Sequence, residues 1–310
     1  MPTFNVRQAK LSDHEAVADF TEDTWPDQET GDYIPRIFEQ WVESDGPNQR
    51  TFVLEADGTV AGLLQGVLLS EYEAWAQGMR VAPAARGHGA SRRLNDQLFD
   101  WAAKQGATVC RNMVFSWNMA GLGTSRAVGY DPGTEFRWAL PTPDANATAA
   151  TDHRVVDSAD AAWTYWMRSD AHTALSGLAL DVDEPWALAA LTRERLTDDA
   201  ERVITVQKDG TGAFSFRLRS YDRENEDGKN VTWAEYGVAA WANVPAARAL
   251  FAAIRRDAAS VDADRTRVLL AETPRHVTDA VHVGSEVSEH PDFVLEADLS
   301  TRGNDAVSRP

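Results

Sequence analysis

From Met79 to Leu94 an extended run, Met79-Arg80-Val81-Ala82-Pro83, passes into Arg86-Gly87-His88-Gly89-Ala90-Ser91 and then into a segment with helical spacing. Strand, glycine turn and helix start must therefore follow one another closely, which few folds allow. Glycine has no Cβ, so the turn can adopt left-handed torsions and let another molecule reach the main chain. The first N–H groups of a helix are unpaired and sit at the positive end of its dipole, which makes such a junction an anion seat. Arg86 adds charge at the mouth, and Arg92 and Arg93 follow within the first turn or so. Glycines that only pack a helix on a sheet are the plain alternative. A dinucleotide-binding turn would need a third glycine where Arg92 stands, and a P-loop would need Gly-Lys-Ser/Thr, which is absent.

The flanking chain reads as strands and helices in alternation. Asn5–Lys10 is a short strand, and Ser12 with Glu15 forms a capping-box start for a helix toward Asp23. Ile37, Phe38, Trp41 and Val42 give helical spacing over Pro35–Ser44. Thr51–Ala56 and Val60–Leu69 flank Asp57-Gly58, a hairpin signal. Tyr72–Val81 is a strand, and Leu94, Leu98 and Trp101 share one face of the helix that Gly106 closes. Thr108–Phe115 is the next strand, Asn118 opens a short helix ending at Gly129-Tyr130, and Phe136–Leu140 is a last strand. The order βααβββαβαβ predicts an α/β class with a mixed sheet (α+β in its mixed strand directions).

Pro141 to Asp152 is rich in Pro, Thr, Ala, Asn and Asp and reads as a linker. Beyond it the order recurs, with helices over Ala161–Met167 and Pro185–Leu196 and strands over Arg202–Lys208, Gly212–Tyr221 and Val231–Trp241. A helix over Pro245–Ala259 and a strand over Arg267–Ala271 follow, and Trp233-Ala234-Glu235 stands where Trp75-Ala76-Gln77 stands in the first half. The expected organisation is a domain over residues 1–140, a linker over 141–152, a second domain over 153–300 and a disordered tail over 301–310. Either the fold is duplicated as two tandem domains or the second half is an unrelated α/β domain.

A chain of 310 residues with 43% hydrophobic and 25% charged residues can bury two cores. No apolar run reaches the roughly 18 residues of a membrane span, and the first residues lack the pattern of a signal peptide. Cys110 is the single cysteine, so a reducing, cytoplasmic setting is expected. Acidic residues outnumber basic ones 48 to 30, for a net charge of −18, and only four of the basic residues are lysines. That balance fits a halophilic surface or an acidic, arginine-preferring protein, and it argues against general nucleic-acid binding. The seven histidines are scattered, and the spacing of His276 and His282 brings no acidic or cysteine partner to a ligand position, so no metal is expected.

Arg86-Gly87-His88-Gly89-Ala90-Ser91 after Val81-Ala82-Pro83 resembles the Arg/Gln-x-x-Gly-x-Gly/Ala signature of the GCN5-related N-acetyltransferase (GNAT) superfamily. Asn118 and Gly129-Tyr130 fall where that family has an asparagine and a Gly-Phe ending, and Ser91 departs from its last glycine or alanine. The resemblance covers about residues 4–140 and implies a GNAT-like fold. It also implies acyl-CoA-dependent transfer of acetyl from acetyl-CoA to a primary amine or peptide acceptor. By it, main-chain groups at Met79 and Val81 would hold the pantetheine arm and polarise the thioester carbonyl. Arg86, Gly87, His88, Gly89, Ala90 and Ser91 would hold the pyrophosphate, and Asn118 would contact the cofactor.

Glu73 is the candidate general base, with Glu71 on the same strand face; solvated edge-strand carboxylates are the plain alternative. The family's usual tyrosine acid falls on Ser125, a poor proton donor, so Tyr130 and Tyr72 are candidate substitutes. Trp25, Tyr33 and Trp41 fall where the family builds its acceptor pocket. The loop before the second half's long helix, Ala240-Trp241-Ala242-Asn243-Val244-Pro245, has no glycine, which implies a degenerate GNAT-like second domain without coenzyme binding. A non-catalytic acyl-CoA-binding or regulatory module is the alternative reading of the whole chain.

Overall fold

The strand-forming run Thr59–Leu68 contains almost no polar alternation because both of its faces are covered. In the computed structural model, which describes residues 2–22, 24, 31–150, 152–224 and 228–302, the chain falls into two units. The first comprises Met1–Val114, Asn118–Pro132 and Leu295–Pro310, and the second Phe115–Trp117 and Gly133–Val294.

The first unit begins with β1 (Phe4–Gln8), α1 (His14–Thr21) and α2 (Ile34–Ser44), followed by β2 (Gln49–Ala56), β3 (Thr59–Leu68) and β4 (Glu73–Val81). Then come α3 (Ala90–Lys104), β5 (Val109–Phe115) and α4 (Met119–Val128). Strands β1 to β4 are antiparallel neighbours and β5 joins β4 in parallel. One sheet face carries α1 and α2, whose Val17, Ile34, Phe38 and Trp41 pack with Val53 and Leu63. On the other, Leu94, Leu98 and Trp101 of α3 lie over Gly62 and Gly66. The expected capping box at Ser12 is displaced: Asp13 accepts the Lys10 N–H at 2.8 Å and is held by Arg7, so a 3₁₀ turn precedes α1.

The second unit contains β6 (Asp131–Leu140, from Gly133 on), β7 (Arg154–Val156), α5 (Ala159–Trp166), α6 (Asp170–Ala174), β8 (Leu178–Leu180) and β9 (Leu188–Ala190). It continues with β10 (Arg202–Lys208), β11 (Gly210–Glu224), β12 (Asn230–Trp241), α7 (Val244–Ser260), β13 (Arg265–Ala271), α8 (Pro274–His282) and β14 (Glu286–Val287). Its strand order is β6-β13-β12-β11-β10-β7, with β14 on β6. The carboxylate of Glu235, fully buried, sits between Arg219 at 2.5 Å and Arg267, whose guanidinium lies between the rings of Trp138 and Trp186. The helix expected over Pro185–Leu196 does not form. Asp181 accepts the N–H groups of Asp183 and Glu184, Trp186 takes a left-handed backbone (φ 71°), and Leu188–Ala190 pairs with Leu178–Leu180.

The two units repeat one pattern. Antiparallel β11 and β12 and parallel β13 match β3, β4 and β5, and Trp75 and Trp233 each pair with an arginine of the parallel strand, Arg111 and Arg265. Each also carries a one-residue bulge at the same place, at Gly78-Met79 in β4 and Gly237-Val238 in β12.

A last strand, β15 (Asp292–Asp298), ends the described elements. Residues from Gly133 pair into the second unit's sheet through β6 and β13, whereas residues from Leu295 belong to the first. There Leu299 donates its N–H to the Thr108 carbonyl at 2.8 Å, and Arg302 is paired with Asp96 and Asp100 of α3. Arg302 is thus tied down, and residues 303–310 of the expected tail lie outside the described residues.

Candidate active site

Strands β4 and β5 pair only at Glu73–Val109, Ala74–Cys110 and Trp75–Arg111; past Arg111 the ladder ends. At the same level β4 gains one residue on β3, since Gln77 faces Gln65 but Arg80 faces Leu63. A bulge bends its strand and ends regular pairing. Gly78 supplies the turn with φ +66°, and the Trp41 ring lies where a Cβ would be, 2.4 Å away. Arg80 grips Asp32 through Nε at 2.6 Å and Nη2 at 3.1 Å, and Asp32 also accepts the Ile34 N–H. This buried pair fixes the start of α2 beside the bulge. Tyr33 packs on Trp41 and under Arg80, so both aromatics hold the scaffold; Trp25 lies outside the described residues.

The glycine turn is open. Gly87 (φ +76°) and Gly89 (φ +87°) are left-handed and exposed, and a Cβ built on either meets nothing within 4 Å. Gly89 is the N-cap of α3 and supplies no side-chain cap, so the first amides of α3 receive no bond from that position. Arg86 folds back, Nε donating to the Val81 carbonyl at 2.9 Å, which ties the turn to the end of β4. His88 is exposed, Ala90 is buried, and Ser91 is half-buried with its carbonyl accepting from Asn95 Nδ2 at 2.9 Å. The same Asn95 nitrogen lies 3.3 Å from Met79 Sδ, joining the bulge to α3. Nothing comparable is left open at α7: Asn243 Oδ1 accepts the Ala246 N–H at 3.0 Å, and Pro245 removes one donor from the first turn.

Asn118 is the N-cap of α4, Oδ1 accepting the Gly121 N–H at 2.9 Å. Ser125, on the same helix, is buried and accepts a bond from Asn112 Nδ2 at 3.1 Å. The remaining proton-transfer candidates have the following surroundings. Glu73 lies on the paired part of β4, buried, with Arg111 Nη1 at 2.6 Å and the Ser70 hydroxyl at 3.1 Å. Arg111 also reaches Glu296, so Glu73 belongs to an ion-pair network rather than standing as an open base. Tyr130 is 1% exposed, edge-on to Phe99, with its hydroxyl 3.6 Å from Cys110 Sγ. Burial holds that hydroxyl well above the usual tyrosine range, as expected of core packing and not of a proton donor. Tyr72 is exposed.

Burial also pushes the Cys110 thiol up to about 12. Since the thiolate is the reactive species, a thiol reagent at pH 8 is expected to leave Cys110 untouched in the folded protein and to label it fully in denaturant. Labelling of the native protein at the rate of a free thiol would show that this core opens.

Residue-by-residue reading thus located the turn but not the bulge glycine, the Arg80–Asp32 pair, Asn95 or Asn112. Gly78 inside a strand pattern was an available bulge signal; the others depend on partners far along the chain. Among the described residues no group of three or more His, Cys, Asp or Glu side chains is placed to hold a metal. No described helix is long and apolar enough to cross a membrane.

Comparison with known proteins agrees with this geometry. Among solved structures, a GCN5-related N-acetyltransferase from Sphaerobacter thermophilus matches with a TM-score of 0.57 at 14% identity, covering 96% of both chains. A GCN5-related N-acetyltransferase from Anabaena variabilis matches with a TM-score of 0.50 at 12% identity, covering 96% of this chain and 73% of that one. At such identities the likeness establishes the fold. No curated protein matches the sequence. The model of the acetyltransferase (GNAT) family matches residues 14–130, which span α1 to Tyr130 and include the bulge, the open turn and α4. It is thus residues 14–130 of the first unit that match the acetyltransferase (GNAT) family.

Proposed function

We propose that the first unit binds acyl-CoA and transfers acetyl from acetyl-CoA directly to a primary amine. The observation that carries this reading is the uncapped start of α3 behind two left-handed glycines, at the end of the strand that parts from β5. Amides of Gly87, Gly89, Ala90 and Ser91, with Arg86, His88 and the arginines of the first turn nearby, would receive the pyrophosphate. Main-chain groups of Met79 and Val81 would align the pantetheine arm and polarise the thioester carbonyl. The amide group of Asn118 would contact the coenzyme while its carbonyl caps α4.

In the transfer, the neutral amine nitrogen bonds to the thioester carbonyl carbon, the C–S bond breaks, and the thiolate leaves. The nitrogen loses a proton and the sulfur gains one. With Glu73 and Tyr130 engaged elsewhere, water carries the amine proton and the acceleration comes from alignment. Ser125 lies at the family's tyrosine position, where its hydroxyl would serve as a hydrogen-bond donor to sulfur rather than as an acid. The second unit is a degenerate duplicate of the first, its helix start closed by Asn243 and Pro245.

A regulatory, non-catalytic coenzyme binder is the second reading, favoured by the short, buried Ser125. Calorimetric titration with acetyl-CoA, followed by free-CoA release with a panel of small amines and peptides, separates the readings. Binding with turnover supports the transferase. Binding without turnover on any acceptor favours the regulator, and no binding removes both.

A further inference from the structure

Asn112 follows Arg111, the last β5 residue paired with β4, and so is the first residue of β5 beyond the ladder. Its amide nitrogen donates to Ser125 Oγ, but its carbonyl oxygen is buried and has no hydrogen-bond partner among the described residues. Turning the amide over would orphan the nitrogen instead. Buried polar atoms in native proteins are nearly always paired, because an unmet group keeps its full desolvation cost. α4 cannot readily move to help: the Ser125 carbonyl is already bonded by the Tyr130 N–H at 3.0 Å, and Ser125 itself is buried. A partner brought by a ligand accounts for the arrangement. The ligand group that suits it is a secondary amide, which offers an N–H on one edge and a carbonyl on the other.

Resting on the acyl-CoA reading above, we propose that Asn112 is a further acyl-CoA-binding residue whose side-chain carbonyl accepts the N–H of the pantetheine amide nearest the thioester. Asn112 then sets the depth to which the arm enters between β4 and β5. The Asn112–Ser125 bond orients the amide for this contact, and Ser125 Oγ, accepting from Asn112, keeps its own O–H to donate toward sulfur.

The test compares two ligands on the full chain, acetyl-CoA and 3′-phospho-ADP, which carries the phosphates but no pantetheine. Asn112→Leu, similar in size, is expected to weaken acetyl-CoA about tenfold, the worth of one buried hydrogen bond, and to leave 3′-phospho-ADP unchanged. Its melting temperature without ligand should change little, since removal of the unmet oxygen offsets loss of the bond to Ser125. Asn112→Ala, read the same way, guards against misfit of the leucine. Equal acetyl-CoA affinity in wild type and variants overturns the proposal. So does an equal loss on both ligands, or variants that fail to fold, because Asn112 would then serve only to hold α4 to β5. Wild-type protein that binds neither ligand takes down the acyl-CoA reading itself, a result visible before any variant is made.

Discussion

Gly89→Val is expected to lower acetyl-CoA affinity more than a hundredfold while the chain stays folded. The free protein tolerates the change because a Cβ at Gly89 meets nothing within 4 Å. Its cost there is backbone strain, since a β-branched residue at φ +87° pays about 1–3 kcal/mol. With ligand the balance reverses, because the added methyls occupy the approach to the first amides of α3. Losing two charge-assisted hydrogen bonds removes roughly 3 kcal/mol or more, which corresponds to at least a hundredfold in affinity. Calorimetry with acetyl-CoA, paired with a thermal melt, checks both halves. Unchanged affinity in a folded variant would mean that the anion seat lies elsewhere.

Gly78→Ala is expected to be among the most destabilising single-methyl additions in the first unit. The new Cβ would stand 2.4 Å from Trp41 Cη2, 2.7 Å from Cζ3 and 3.1 Å from Ile34 Cδ1. Trp41 is a rigid ring held in the cluster of Ile34, Phe38, Val53 and Leu63, so it cannot simply swing aside. Overpacking of this kind costs about 1–3 kcal/mol and the left-handed backbone about 1–2 more. A loss of roughly 2–5 kcal/mol should lower the melting temperature by about 5–15 °C. Combining it with Trp41→Leu should cost less than the two single changes added together, because the second removes the clash created by the first. Strict additivity would show that Trp41 does not hold the bulge. Transfer should be lost along with the bulge, since β4 would straighten toward β5.

The parts of the fold that were legible in the sequence are the local ones. The glycine turn, the hairpin at Asp57-Gly58 and the helix carrying Leu94, Leu98 and Trp101 announce themselves within a few residues, and each forms close to its expected place. Pro185–Leu196 misled because Trp186, Leu188 and Leu191 suit a helix as well as a short strand. What decided between them was Asp181 turning the chain and β8 offering a partner. Glu73 and Tyr130 had the right chemical types, but their roles depend on Arg111 and Cys110, which no spacing in their own strand or helix reveals. Asn112 was invisible for the same reason. Its significance is an unmet oxygen, and that exists only once α4 is laid beside β5.

The closing stretch that Leu299 and Arg302 anchor onto Thr108, Asp96 and Asp100 also bears on how the protein is made. Everything up to Pro132 leaves the ribosome well before Leu295 is added. At about 5–20 residues per second the wait is on the order of ten to thirty seconds. Through that interval Asp96, Asp100 and the Thr108 carbonyl lack these partners, and the hydrogen-bonding rim of β5 is available to the nascent chain's neighbours. Arg111 can already hold Glu73 but must wait for Glu296. The amino-terminal unit is therefore finished by a segment made long after the rest of it, with the whole second unit synthesised in between.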